Sequence, residues 1–452
     1  MKERTEILEE TFRKLVEEKK FSSLRDLMAT MYPADVASIL EDLPAEMLPA
    51  LFRLLPKDLA ADTFVEMDGD MKENLIKSFS DVELKAVIDE LYMDDTVDLI
   101  EEMPAGMVRR ILQQTDADTR KRVNEILKYP DDSAGSVMTT EFVSLRPEMT
   151  ASDAIALIRA TGVDKETINT CYVTDEKYHL LGTITIRALI LAKPDAPCES
   201  LMAANVLSVT TQDDQETAVH MMSKYDFSSL PVVDTEGRLV GIITIDDAMD
   251  IMEEEATEDI AKMAAYTPSD KPYLKTSVFE IWKNRIPWLL VLMISATFTS
   301  IVLKHFEGVL AAAAVLTFYI PMMTDTGGNS GSQASVTVIR ALSLGEVEFA
   351  DIFRVMWKEL RVSLLCGLTL SACNFAKLML LDKLTVPVAL TVCLTMLCTI
   401  VIAKLVGCTL PMIAKKVGLD PAVVASPFIT TIVDVLALII YCTFAGMILN
   451  IG

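Results

Sequence analysis

Histidine is nearly missing from this chain: His179, His220 and His305 are the only three among 452 residues, and they are scattered. No Ser/His/Asp triad or histidine-based metal-hydrolase site can be assembled from them, which argues against a hydrolase. Of eight cysteines, Cys366, Cys373, Cys393, Cys398, Cys408 and Cys442 lie in apolar stretches and none forms a CxxC pair. That favours small packing residues over disulfides or a zinc centre. The N-terminal MKERTEILEE lacks an apolar h-region, so no cleavable signal peptide is expected and the first half should be cytoplasmic. Positive charge is short there too. Residues 1–275 carry 55 Asp/Glu against 29 Lys/Arg, while residues 276–452 are near neutral. An excess of that sign excludes nucleic acid and anionic membrane surfaces as partners and points to cations.

The chain is too long for one core and reads as three blocks. Residues 1–130 repeat at a step of 12. One column is Ile39, Leu51, Thr63, Leu75, Val87, Leu99, Ile111, and the next is Leu40, Phe52, Phe64, Ile76, Ile88, Ile100, Leu112. Each unit offers an apolar i, i+1, i+4 face, punctuated by Pro44, Pro56 and Pro104. Short helices that cannot bury such a face alone predict an all-α superhelical solenoid.

Residues 137–254 hold a longer duplication. Val137-Met138-Thr139 recurs as Leu201-Met202-Ala203, and VTDEKYHLLGTITI recurs as VVDTEGRLVGIITI with Gly182 answering Gly241. These strand–helix–strand–strand units resemble a tandem pair of α/β CBS domains, at 137–200 and 201–254. In that fold family a Gly-x-x-Thr-x-x-Asp run can hold the ribose of ATP or another adenosine nucleotide. Gly241, Thr244 and Asp247 fit the run, whereas the first copy has Ala188 at the acidic position.

Residues 276–452 turn apolar. Five spans are expected near 286–303, 309–339, 362–381, 386–410 and 422–449, each near the ~20 residues a bilayer requires. The bias of Lys and Arg places the N-terminal side within the cell. Asp434 stands near the middle of the last span, where a carboxylate must face a bundle interior, water or an ion. It reads either as a protonated packing residue or as a pore-lining cation site, and the second is the expectation. No Lys or Arg is expected at its depth, since Lys377 and Lys404 sit nearer span ends and can snorkel. Ser426 and Thr430 share its helix face, and Pro427 should free carbonyls in the early turns. Such an all-oxygen environment suits Mg²⁺. The second span carries Asp325, Gly327, Gly328, Asn329, Gly331 and Gln333. Its GxxxG spacing predicts close helix approach, and the polar residues predict more than packing. No Walker A lysine follows these glycines, so nothing implies ATP-driven pumping.

The GGNSGSQAS run, the TTIVDV segment, the tandem CBS block and the solenoid together resemble the MgtE family of magnesium channels, end to end. The resemblance implies a homodimer in the cell membrane, with the last helices of both subunits lining a pore. It places a hydrated Mg²⁺ site at Asp434 with the backbone of Ser426 and Thr430. Residues 246–275 then become the family's acidic gating or plug helix. Eight acids crowd Asp246–Asp259 before the first base, Lys262, and form like-charged i,i+4 pairs. Metal-sensing positions carry over to Asp247, Asp250, Glu255, Glu258 and Asp259, with Glu216 and Asp226 in the CBS block. Asp62, Asp94 and Asp98 follow in the solenoid, and Asp420 stands at the inner end of the last span. The functional expectation is a Mg²⁺ uptake channel, not an enzyme, closed by cytosolic Mg²⁺. A CBS-regulated divalent cation exchanger and a membrane-anchored metal or nucleotide sensor are the alternatives.

Overall fold

The computed structural model describes residues 2–41, 43–269, 273–423 and 426–450. It separates into two compact units, residues 1–252 and 253–452.

The first unit opens as a chain of short helices, from Lys2–Glu17 to Ala117–Ile126. The step-12 columns form its core: Ile39, Leu51, Thr63, Leu75, Val87, Leu99 and Ile111 are all buried, as are Leu40, Phe52, Phe64, Ile76, Ile88 and Ile100. Asp68, Ser80 and Asp116 cap the helices that follow them, each satisfying amides of a first turn. Arg110 donates to the carbonyls of Ile76 and Phe79 and pairs with Asp81 at 2.9 Å, which ties units three helices apart.

Two sheets of identical topology follow. Strands β1 (Ser144–Leu145), β2 (Thr170–Thr174) and β3 (Leu180–Thr185) form one. Strands β4 (Val209–Thr210), β5 (Ser229–Val233) and β6 (Leu239–Thr244) form the other. In each, the short first strand pairs parallel and the hairpin antiparallel, with Val173 opposite Gly182 and Val232 opposite Gly241. The lead segments are exchanged between copies. Thr139 bonds to Ile242 of β6, and Ala203 to Thr183 of β3. The two matching glycines explain why this works: a Cβ at Gly241 would strike Met138, and one at Gly182 would strike Met202.

The linker helix, Ile245–Met263, is acidic and 19 residues long and runs from the end of β6. Among the described residues of the second unit, four helices are long and apolar enough to cross a membrane: Val278–His305, Phe349–Leu380, Val386–Val417 and Pro427–Leu449. The segment expected as one second span is broken. A short helix, Glu307–Ala312, ends at Ala313, a six-residue 3₁₀ stretch follows, and only Ile320–Ser343 continues as a regular helix. Polar residues keep that glycine-rich helix below the apolarity of the other four. Pro427 is corrected as well. It sits at the second position of Ser426–Leu449, where no intrahelical donor is lost. Its carbonyl accepts hydroxyl bonds from Thr430 (2.9 Å) and Thr431 (3.0 Å) and is not freed.

Candidate functional site: a membrane carboxylate and an acidic cluster

The glycine-rich helix has two faces. Gly327, Gly328, Ser330, Gly331, Ala334 and Ser335 are buried, and Asp325, Asn329, Gln333, Thr337 and Arg340 are exposed at steps of three and four. The buried face works by close approach. A Cβ at Gly327 would lie 2.6 Å from Thr399 and 2.8 Å from Val433, and one at Gly331 would lie 2.8 Å from Ile429. Gly328 belongs to this face, packed on Thr430, and so does not share the exposed stripe of Asn329 and Gln333. A polar stripe at this depth is costly against lipid and requires water or protein beside it.

Asp434 is half-buried on the last helix, one residue beyond Val433, which touches Gly327. Among the described residues it accepts no hydrogen bond and has no ion-pair partner. Asp325 lies within electrostatic reach of it. Thr430 sits one turn before Asp434 with its hydroxyl spent on Pro427. Ser426 heads the helix, and its side chain lies outside the described residues.

Lys404 does not snorkel. It is 5 % exposed, and its Nζ stands 3.8 Å from Glu359. The carbonyl of its neighbour Ala403 lies 3.2 Å from where a Gly331 Cβ would be, the same place that meets Ile429. Lys404 is therefore near the level of Ile429, about 8 Å along the helix from Asp434 at 1.5 Å per residue. Lys377, also expected to snorkel, pairs with Asp382 at 2.9 Å.

The second concentration of acid is in the first unit. Asp94 and Asp95 lie in the first turn of Met93–Glu102 with Asp98 one turn on, and Asp246 and Asp247 open the linker helix. Burial, then the charge of Asp247, raises Asp94 well above the usual carboxylate value and Asp95 to about 6. Burial, then Asp95, Glu101 and Glu102, lifts Asp98 to about 7. Burial, then Asp247 and Asp95, lifts Glu166 to about 8. Asp247 is raised by burial despite its bond from Thr244. Asp62 borders the group, since its charge and those of Asp94, Asp95 and Glu166 all bear on Tyr92. Glu166 and Asp95 were not foreseen. Asp95 was visible beside Asp94, but Glu166 had no sequence signal. Among the described residues no three acidic, histidine or cysteine side chains stand close enough to hold one ion between them. The cluster offers oxygen donors and excess charge, which fits a hard cation that keeps its own waters.

Other expected sensor residues are spread out. Glu216 opens the helix Gln215–Tyr225 beside His220, and Asp226 closes it at φ 55°; the ends are about 15 Å apart by helical rise. Asp250, Glu255, Glu258 and Asp259 follow Asp247 along the linker helix. Glu258 and Asp420 share one cation of the chain itself. Lys262 Nζ lies 2.6 Å from Glu258 and 2.7 Å from Asp420. Although burial opposes its charge, these two partners push Lys262 up to about 12.

Of the nucleotide candidates, Thr244 donates its hydroxyl to Asp247 at 2.5 Å, closing the start of the linker helix. Gly241 seats Met138 and Thr139.

Sequence profiles match in three parts: a divalent cation transporter described as MgtE at residues 320–444, the MgtE intracellular N domain at 31–132, and CBS domains at 134–195 and 198–254. The chain is 36% identical to the magnesium transporter MgtE of Thermus thermophilus over 433 residues, 95% of each chain. The chain belongs to the MgtE family. A second MgtE, from Bacillus subtilis, is 30% identical over 427 residues, 94% of each chain. Among solved structures, the cytosolic domain of the Mg²⁺ channel MgtE in complex with ATP matches at a TM-score of 0.52 with 33% identity. It covers 54% of this chain and 99% of that one. The soluble part of a magnesium transporter also matches at 0.52, with 27% identity, 56% of this chain and 99% of that one. A helical N-terminal domain, a CBS pair and an apolar helical C-terminal region are thus shared with MgtE proteins.

Proposed function

We propose that this chain is a Mg²⁺ channel of the cell membrane, working as a homodimer, with its solenoid and CBS pair in the cytoplasm as regulators. The observation that carries this reading is Asp434, a carboxylate without a partner among the described residues. It stands on an apolar helix within electrostatic reach of Asp325, which shares an exposed helix face with Asn329 and Gln333. Five spans complete the membrane part when the glycine-rich helix Ile320–Ser343 is counted with the four apolar ones. Two copies of the stripe facing each other would remove both from lipid and enclose a wet path. A hydrated Mg²⁺ meets oxygen donors there and keeps most of its waters. The membrane potential supplies about 2.3 kcal/mol per elementary charge per 100 mV, which drives cations inward without a coupling ion.

The linker helix is the gate in this reading, and Mg²⁺ is also the regulator. Asp94, Asp98, Asp62 and Asp247 would hold it in the first unit, Glu216 and Asp226 in the CBS pair, and Asp250, Glu255 and Asp259 along the linker. Neutralising like charges that burial already disfavours would stabilise the closed form. An adenosine nucleotide is proposed at Gly241, Thr244 and Asp247, once per chain, since Ala188 removes the second acid.

Replacing Asp434 by Ala should abolish Mg²⁺ flux in liposomes while insertion and dimer formation persist. Normal flux through a correctly assembled Asp434→Ala protein would sink the pore assignment.

A further inference from the structure

Beside the glycine-rich helix lies an open cavity of about 840 Å³, lined chiefly by Asn329, Ser332, Gln333, Thr337, Glu359 and Lys404. It is distinct from Asp434, yet Asn329 and Gln333 belong to the same exposed stripe as Asp325. Two features make it more than a packing defect. Its charges are largely shielded, Lys404 buried at 5 % exposure and the Glu359 side chain half-buried at 13 %. They are also poorly satisfied: at 3.8 Å the ammonium and carboxylate are beyond hydrogen-bond reach, and Glu359 Oε2 has no hydrogen-bond partner among the described residues. A buried ion pair is stable when close and fully bonded, and this one is neither.

The other lining groups decide which partner suits Glu359. Amide and hydroxyl oxygens of Asn329, Ser332, Gln333 and Thr337 are suited to the waters of a hydrated cation, and Glu359 supplies the one negative charge. Six waters at about 30 Å³ each occupy about 180 Å³, well within the cavity. Resting on the channel reading, we propose that Glu359 is a second divalent-cation site beside the conduction stripe. Lys404 is its tethered counter-ion, which a hydrated Mg²⁺ displaces. The ammonium keeps the site weak, so ions pass it instead of lodging.

The test uses the full chain in nanodiscs titrated with Mg²⁺ alone. Lys404→Met should bind one more Mg²⁺ per chain than the Lys404→Met/Glu359→Gln double variant. Both keep the same soluble half and Asp434, so the difference reads the cavity alone. Flux through Lys404→Met should also fall by about tenfold, because a lodged cation leaves slowly, and recover in the double variant. Equal stoichiometry in the two overturns the inference. If Lys404→Met does not assemble, Lys404→Gln removes the charge and keeps hydrogen bonding. The neutral double variant must in any case lack a weak site that the unsubstituted chain shows at high Mg²⁺, and its persistence there is equally fatal. Absence of Mg²⁺ flux in the unsubstituted chain would instead refute the channel reading.

Discussion

At the scale of single residues, the membrane part is shaped by side chains that are missing. Gly331 lets the glycine-rich helix lie against Ile429 and the carbonyl of Ala403, and Gly407 receives the Gly331 carbonyl in turn. Alanine at 331 would put its Cβ 2.8 Å from Ile429 and 3.2 Å from a backbone oxygen that cannot rotate away. Overpacking of this kind costs about 1–3 kcal/mol. Gly308 has nothing within 4 Å of a built Cβ, so it serves as the control. Gly331→Ala should lower the melting temperature of the solubilised protein and weaken transport, and Gly308→Ala should do neither. A Gly331→Ala protein that melts like its parent would show that the helices do not rely on this approach. The GxxxG spacing made Gly327 and Gly331 readable in advance. Nothing local announced that Lys404 would be buried against Glu359, because 45 positions along the chain separate partners that only helix packing brings together.

At the scale of elements, the linker helix carries its own cation. Lys262 joins Glu258 on that helix to Asp420 ahead of the last one, and Asp420 also accepts the Ala422 amide at 2.8 Å. Its partners hold it charged at any cellular pH. Partly exposed pairs contribute little to stability, roughly 0–1 kcal/mol each, so the effect belongs to coupling more than to folding. Lys262→Met would leave two carboxylates facing each other until a divalent cation comes between them. Closure of that variant should therefore need more cytosolic Mg²⁺ and depend on it more steeply in patch recordings, and Asp420→Asn added to it should return the parental curve. An unchanged Mg²⁺ dependence in Lys262→Met would refute the coupling. The acidic run and Lys262 were both plain in the sequence, but that Lys262 would join Glu258 to Asp420 depended on where Asp420 came to lie. The step-12 solenoid and the duplicated CBS units were legible for the opposite reason, since each repeat is fixed by local pattern and nearest neighbours. The break at Ala313 was not, because an apolar run looks alike in a helix and in a bent helical segment.

At the scale of the whole molecule, the excess of 55 acidic over 29 basic residues in positions 1–275 is not spread evenly over a solvated surface. Part of it is crowded together: Asp94 is buried and Asp95 and Glu166 are half-buried. Desolvation first, then Asp247 for Asp95 and Glu166 and Asp95 for Asp98, lifts Asp95, Asp98 and Glu166 to about 6, 7 and 8. The direction of the resulting pH dependence follows from linkage. These groups hold protons more tightly folded than unfolded, so without divalent cations their contribution is present below the ordinary carboxylate value of about 4. It is lost as pH rises through about 6 to 8. The regulatory Mg²⁺ proposed above would act on the same groups from the other side, since it would bind the ionised carboxylates and have to expel their protons. Three outcomes are expected. Without divalent cations, the protection of the Met93–Glu102 amides, taken relative to the intrinsic exchange rate at each pH, should fall between pH 6 and 8 in the full chain. With saturating Mg²⁺ that trend should vanish or reverse. Titration at pH 7 in buffers of different ionisation enthalpy should show proton release, about one per chain, on Mg²⁺ binding. Neutralising Asp98 and Glu166 together should flatten the pH trend and suppress the proton release while leaving Asp434-dependent flux intact. Proton release that survives this double substitution would mean that the regulatory cation sits elsewhere in the acidic half.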